Sequence, residues 1–142
     1  MIPYYCNEAM LELADVRGLV DLTRHFLQVV TEAGVEIELT IERVRLQPSQ
    51  SLAAAVESSL AERKRSLRGF QLVSSTECAY PDVSGVEARL TFVDKELGPR
   101  FVHEFHCAPD TTWIVDQGSC RLPHAAHCDA WMQTVVESLQ LR

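Results

Sequence analysis

Cysteines at metal-binding or redox spacing are missing from this 142-residue chain. Its five cysteines, Cys6, Cys78, Cys107, Cys120 and Cys128, form no C-x-x-C and no disulfide framework. An odd set of this kind predicts free thiols, several of them buried. Glycine and proline are scarce, six of each, which leaves no room for a long disordered tail. No stretch reaches the roughly 18 apolar residues of a membrane span. The opening "MIPYYCNEAMLEL" has no basic segment ahead of an apolar one, so a cytoplasmic protein without stable membrane insertion is expected.

Positive charge is also short, with 13 basic against 20 acidic residues and a formal net charge of -7. Such a chain repels phosphate backbones, and nucleic acid is not an expected partner. The one basic cluster, "ERKRSLR" at 62 to 68, reads as a solvated helix end favoured by the helix dipole. Length and composition are those of one ordered globular domain over residues 1–142, large enough to fold without a metal or disulfide staple.

Strand patterns dominate. Residues 8 to 14 alternate weakly, 22 to 32 are β-rich, and "VEIELTIERVRL" at 35 to 46 alternates clearly, with Val35, Ile37, Leu39 and Ile41 opposed to Glu36, Glu38, Thr40 and Glu42. After Pro48 the period becomes helical through Leu52, Val56, Leu60 and Leu67. Ser49 or Ser51 is placed to cap this helix and Gly69 to stop it. Four more strand patterns follow, and Pro123 opens a last helix to about Leu139. The order predicts an α+β fold: an antiparallel sheet of about six to seven strands with two main helices covering one face.

Two copies of H-x-x-H-C, "HEFHC" at 103 to 107 and "HAAHC" at 124 to 128, are the only metal-like motif. In a strand His103 and His106 point to opposite faces and cannot share an ion. On a helix His124, His127 and Cys128 share a face, but the same stripe runs on through Trp131, Val135 and Leu139, which makes them packing and capping residues first. No metal and no cofactor are expected. A His103–Cys107 nucleophile pair fails on distance, since i and i+4 on a strand lie about 13 Å apart. With no G-x-S-x-G elbow, no G-x-G-x-x-G and no phosphate-cradling loop, no enzyme is expected.

The stretches "YYCNEAMLELAD" and "DLTRHFLQV", the middle "SLAAAVESSLAERKRSLRGFQLVSS" and the tail "MQTVVESLQLR" resemble, in element order over nearly the whole chain, the effector-associated (Eag-type) chaperones of type VI secretion. That resemblance implies a PsbP-like fold. It also implies a homodimer and a sheet groove that shields the hydrophobic, transmembrane-type N-terminal segment of a secreted Rhs- or PAAR-type effector until the effector is loaded on the secretion spike. The client-binding positions it implies are Arg24, Phe26, Gln28, Glu38, Thr40, Val102 and Glu104. In the relatives the positions matching Arg24, Phe26 and Thr40 are largely apolar. Here only Phe26 is, so either a less hydrophobic client or the use of another surface is expected; on this face Phe26 would be the anchor, with Arg24 and Glu104 choosing among clients. The alternative is an immunity or other binding protein that docks through its acidic sheet face.

Overall fold

The computed structural model describes residues 2–6, 9–13 and 24–140. Residues 21–23 of the "DLTRHFLQV" stretch and the side chain of Cys6 lie outside what is described. A hairpin of β1 (Ile2–Cys6) and β2 (Ala9–Leu13) stands as its own two-stranded sheet. The main sheet has six strands, all antiparallel: β3 (Arg24–Val30), β4 (Glu36–Arg45), β5 (Gln71–Ala79), β6 (Ser84–Asp94), β7 (Gly98–Cys107) and β8 (Thr112–Arg121). Their spatial order is β3-β4-β8-β7-β6-β5, so β8 and β7 are central and β3 and β5 form the edges.

Helix α1 (Leu52–Ser66) starts where expected, with the Ser51 hydroxyl accepting the backbone N–H of Ala54 at 3.2 Å. It ends ahead of Gly69, whose φ of 64° suits only glycine and whose missing side chain leaves room for Val93. A single 3-10 turn, Leu122–His124, leads into α2 (Ala125–Glu137). Among the described residues no helix is long and apolar enough to cross a membrane.

The α+β class and the antiparallel sheet are as the sequence predicts. The helix placement is not, because α1 and α2 lie on opposite faces. Val56 and Leu60 of α1 pack on Val86, Ala88 and Leu90 of β6 and Val102 of β7. Cys128, Met132 and Val136 of α2, one turn apart, pack on Ile37, Leu39, Phe101 and Cys120, and on Phe105 and Cys107. Val102 has the opposite parity to Phe101 and Phe105, so the two sets point to opposite sides of β7. The reason lies in the connections. Helix α1 crosses between two edge regions over one face, whereas α2 leaves central β8 and folds on the other. Among the described residues two strands precede β3, and not one as the alternation suggested.

This placement makes β7 a filling between two helices: every residue from Arg100 to Cys107 is buried. Its histidines and glutamate must therefore be satisfied inside the protein.

Candidate functional site

Strand register gathers all seven expected client positions on the α1 face. Phe26 pairs with Thr40, Thr40 with Gln117, and Gln117 with Glu104, giving one row across the sheet. A second row runs Gln28, Glu38, Ser119, Val102. Arg24 pairs with Glu42 at the end of β3.

The rows divide by burial. Arg24, Phe26 and Gln28 are exposed and Glu38 is half-buried, whereas Thr40, Val102 and Glu104 are buried. Val102 lies in the core beneath α1, so neither it nor Glu104 is a free surface position. The open part of this face is therefore β3 with the adjoining part of β4. It is more apolar than the seven residues suggest: Phe26 is 56% exposed, Val30 68%, and Val44 shares their side of the sheet. The alternation missed Val30 and Val44, although both keep the parity of Phe26 and Thr40 along their strands. Leu27 is exposed on the opposite side.

Two polar features border this open area. Arg100 of β7 donates to Ser119 Oγ at 3.1 Å and lies 3.5 Å from the Glu38 carboxylate, so Glu38 is paired and does not simply face water. At the same end Gln28, Val30, Glu38, Arg100 and Arg121 line a concavity of about 710 Å³. On the far side of α1, a more apolar groove of about 830 Å³ separates the helix from edge strand β5.

Glu104 is only 1% exposed and stays ionised because α1 reaches down to it. Arg63 grips the carboxylate with both terminal nitrogens, one bond to Oε2 and one of 2.8 Å to Oε1. The His106 ring is 3.1 Å from Oε1, and its other nitrogen lies 3.1 Å from the Trp113 indole nitrogen. Indole can only donate, so Nδ1 of His106 accepts and the ring proton sits on Nε2, donated to Glu104. Burial alone would raise the Glu104 carboxyl. The hydrogen bonds from His106 and Arg63 outweigh it and hold the group below the usual range. Arg63 belongs to the basic cluster expected to be a solvated helix end. Its role needed only the knowledge that α1 lies over β7.

The α2 face holds a second network. His103, with no exposed surface, has Nε2 2.8 Å from Glu87. Its Nδ1 lies 2.9 Å from Asp129, but out of line for a hydrogen bond. Arg89 donates to Asp129 at 2.6 Å, and Tyr80 to Glu87 at 2.9 Å. These contacts tie α2 to β6 and β7. His103 and His106 thus serve opposite faces, as their strand spacing required. In the second motif copy Cys128 is buried, His124 is exposed at the 3-10 turn, and His127 is 3.0 Å from the Thr31 hydroxyl. Among the described residues no three His, Cys, Asp or Glu side chains converge as metal ligands.

The thiols show what this interior can do chemically. Burial pushes Cys107 up to about 12, with Asp116 adding to the rise. Burial and the neighbouring Glu87 push Cys78 up to about 11. A thiol held protonated is a poor nucleophile and a poor metal ligand.

No protein-family model matches this chain, and no curated protein does. Solved structures do. It is similar to PA94 of Pseudomonas aeruginosa, a protein of unknown function suggested to be a regulator, with a TM-score of 0.81 at 15% identity over 99% of this chain and 96% of that one. It is also similar to cyanobacterial PsbP (CyanoP) from Synechocystis sp. PCC 6803, with a TM-score of 0.59 at 10% identity over 93% of this chain and 99% of that one. At these identities the likeness shows the fold alone, and the fold is PsbP-like.

Proposed function

We propose that this protein is an Eag-type chaperone or adaptor, acting as a cytoplasmic homodimer. It would shield the apolar N-terminal segment of a secreted Rhs- or PAAR-type effector and help load that effector on the type VI secretion spike. The observation that supports this reading is the open β3–β4 surface, where Phe26, Val30 and Val44 stand exposed on one side of the sheet. A contiguous exposed apolar strip of this kind marks a binding surface. Arg24, Gln28 and Glu38 around it supply polar partners, which suits a segment that is apolar but carries a few hydrogen-bonding groups. Glu104 and Val102, being buried, would shape the floor next to α1 and not touch the client. No step of catalysis and no cofactor enters this reading.

The test is co-purification with the N-terminal segment of a neighbouring effector. Phe26→Asp is expected to weaken capture by about 2 kcal/mol, roughly thirtyfold in Kd. Full binding by that variant would move the site elsewhere. The same face also carries exposed Glu36 and half-buried Glu42, which favours a basic partner as the second reading. Salt separates the two: apolar capture persists at high ionic strength, whereas capture of a basic domain weakens steeply.

A further inference from the structure

The groove of about 830 Å³ between α1 and β5 has an apolar lining that includes Val56, Leu60, Phe70, Leu72 and Val86. One of its borders is an open sheet edge. Strand β5 pairs with β6 on one side only, and among the described residues no backbone group from Gln71 to Ala79 bonds to anything else. A row of free N–H and C=O groups therefore runs along the groove, a template for one more strand.

The charges at the groove are ordered along it. Helix α1 and β5 run in opposite directions, with Ala53 at the start of the helix beside Glu77 and Ala79 near the end of the strand. Glu57 and Glu77 thus mark one end of the groove, and Lys64 marks the other, towards Phe70 and Gln71. All three are exposed, and none has an ion-pair or hydrogen-bond partner among the described residues. From Ala53 to Lys64 the helix rises about 16 Å, the span of about six extended residues.

We propose that this groove is a strand-addition site for an extended segment of another protein. The segment pairs antiparallel with β5, as every neighbour in this sheet does, and turns alternate apolar side chains towards Leu60, Leu72 and Val86. Antiparallel pairing sets its N-terminal side at Glu57 and Glu77 and its C-terminal side at Lys64. Its chemistry follows: a basic residue first, apolar residues at alternate positions, and an acidic residue last. A second copy of β5 is the poorer occupant, because the register shift between Leu72 and Ser74 would enter the paired stretch twice. The site lies at the edge opposite β3 and does not depend on what β3 holds.

The test is a titration of isotopically labelled protein with the capped peptide KTVTVTE, up to about 1 mM, read by amide shifts and hydrogen exchange. Expected are shifts on both β5 and α1, with slowed exchange at the outward amides from Ser74 to Ala79. The reversed peptide ETVTVTK should bind about fivefold more weakly, the worth of two exposed ion pairs. Exchanging the charges by Glu57→Lys, Glu77→Lys and Lys64→Glu should invert that order, and Ala61→Trp, at an exposed position on the groove wall, should block both peptides. Absence of binding would overturn the proposal, as would indifference to the charge exchange. So would shifts on α1 without protection of β5, the mark of a helical occupant, or β5 amides already protected in the free protein by a second copy.

Discussion

Strands β3 and β7 reverse what their compositions suggest. β3 reads RHFLQVV and none of its residues is fully buried, although Phe26, Leu27 and Val30 are large and apolar. β7 contains FVHEFHC, with two histidines and a glutamate, and is buried from Arg100 to Cys107. Position decides this. β7 lies inside the sheet with a helix on each side, while β3 is an edge strand beyond the reach of α1. Polar groups on β7 are tolerated because Arg63, Glu87 and Trp113 hydrogen-bond to them, with the Asp129 carboxylate 2.9 Å from the remaining His103 nitrogen. Phe26, Leu27 and Val30 on β3 stay exposed.

The contrast breaks most severely at Glu104. Removing it by Glu104→Ala should destabilise the fold by about 3 kcal/mol, because the His106 N–H and the Arg63 guanidinium lose their acceptor. Arg63→Ala should cost a similar amount by leaving a buried carboxylate unpaired. The double variant should cost clearly less than the sum of the two in denaturant melts. Additive losses would show that the pair contributes nothing as a unit.

A pH titration sharpens the same comparison on β8, the other central strand. Burial raises the Asp116 carboxyl to about 6, with Arg43 and His106 pulling the other way, and one of its oxygens has no hydrogen-bond partner. The native state therefore holds a proton on Asp116 between about pH 4 and 6 that the unfolded chain has already released. Stability attributable to this group falls as pH rises through that window and is lowest above it. Asp116→Asn should recover about 2 kcal/mol at pH 7 and flatten the profile. Glu104 has the opposite sign: its contribution is present at neutral pH and disappears as pH falls through its depressed range. Melts from pH 3 to 8 on wild type and the two single variants would separate the slopes.

Gly118→Ala tests the close approach of α2. The added carbon must displace Met132, at an expected cost of about 2 kcal/mol. Gly34→Ala provides a contrast, since its side-chain position is open and only its positive φ is strained. The smallest effect on stability belongs to β3. Phe26→Asp and Arg24→Leu should each change unfolding free energy by less than about 0.5 kcal/mol. If β3 holds the proposed effector segment, Phe26→Asp is expected to weaken its capture roughly thirtyfold, and Arg24→Leu to admit more hydrophobic clients. A large loss of melting temperature on either change would mean that β3 is covered in the folded protein.

Much of this architecture was legible in advance because it depends on neighbours in sequence. The alternation of Val35, Ile37 and Leu39, the Ser51 cap, the stop before Gly69 and the opposed directions of His103 and His106 all follow from backbone period and local sterics, and all are present. The α2 stripe was displaced by one residue: it is centred on Cys128, Met132 and Val136, with Trp131 and Leu139 at its margins. What period cannot carry is which side of a sheet a helix crosses, since either side presents an apolar row. Only the tertiary structure set α1 and α2 on opposite faces, and with that choice Arg63 became the partner of Glu104, Val102 became core, and Cys120 and Cys128 joined one core cluster. Parity along a strand is a property of the chain, whereas burial is a property of what lies across it, and the sequence does not hold that second layer in any one stretch.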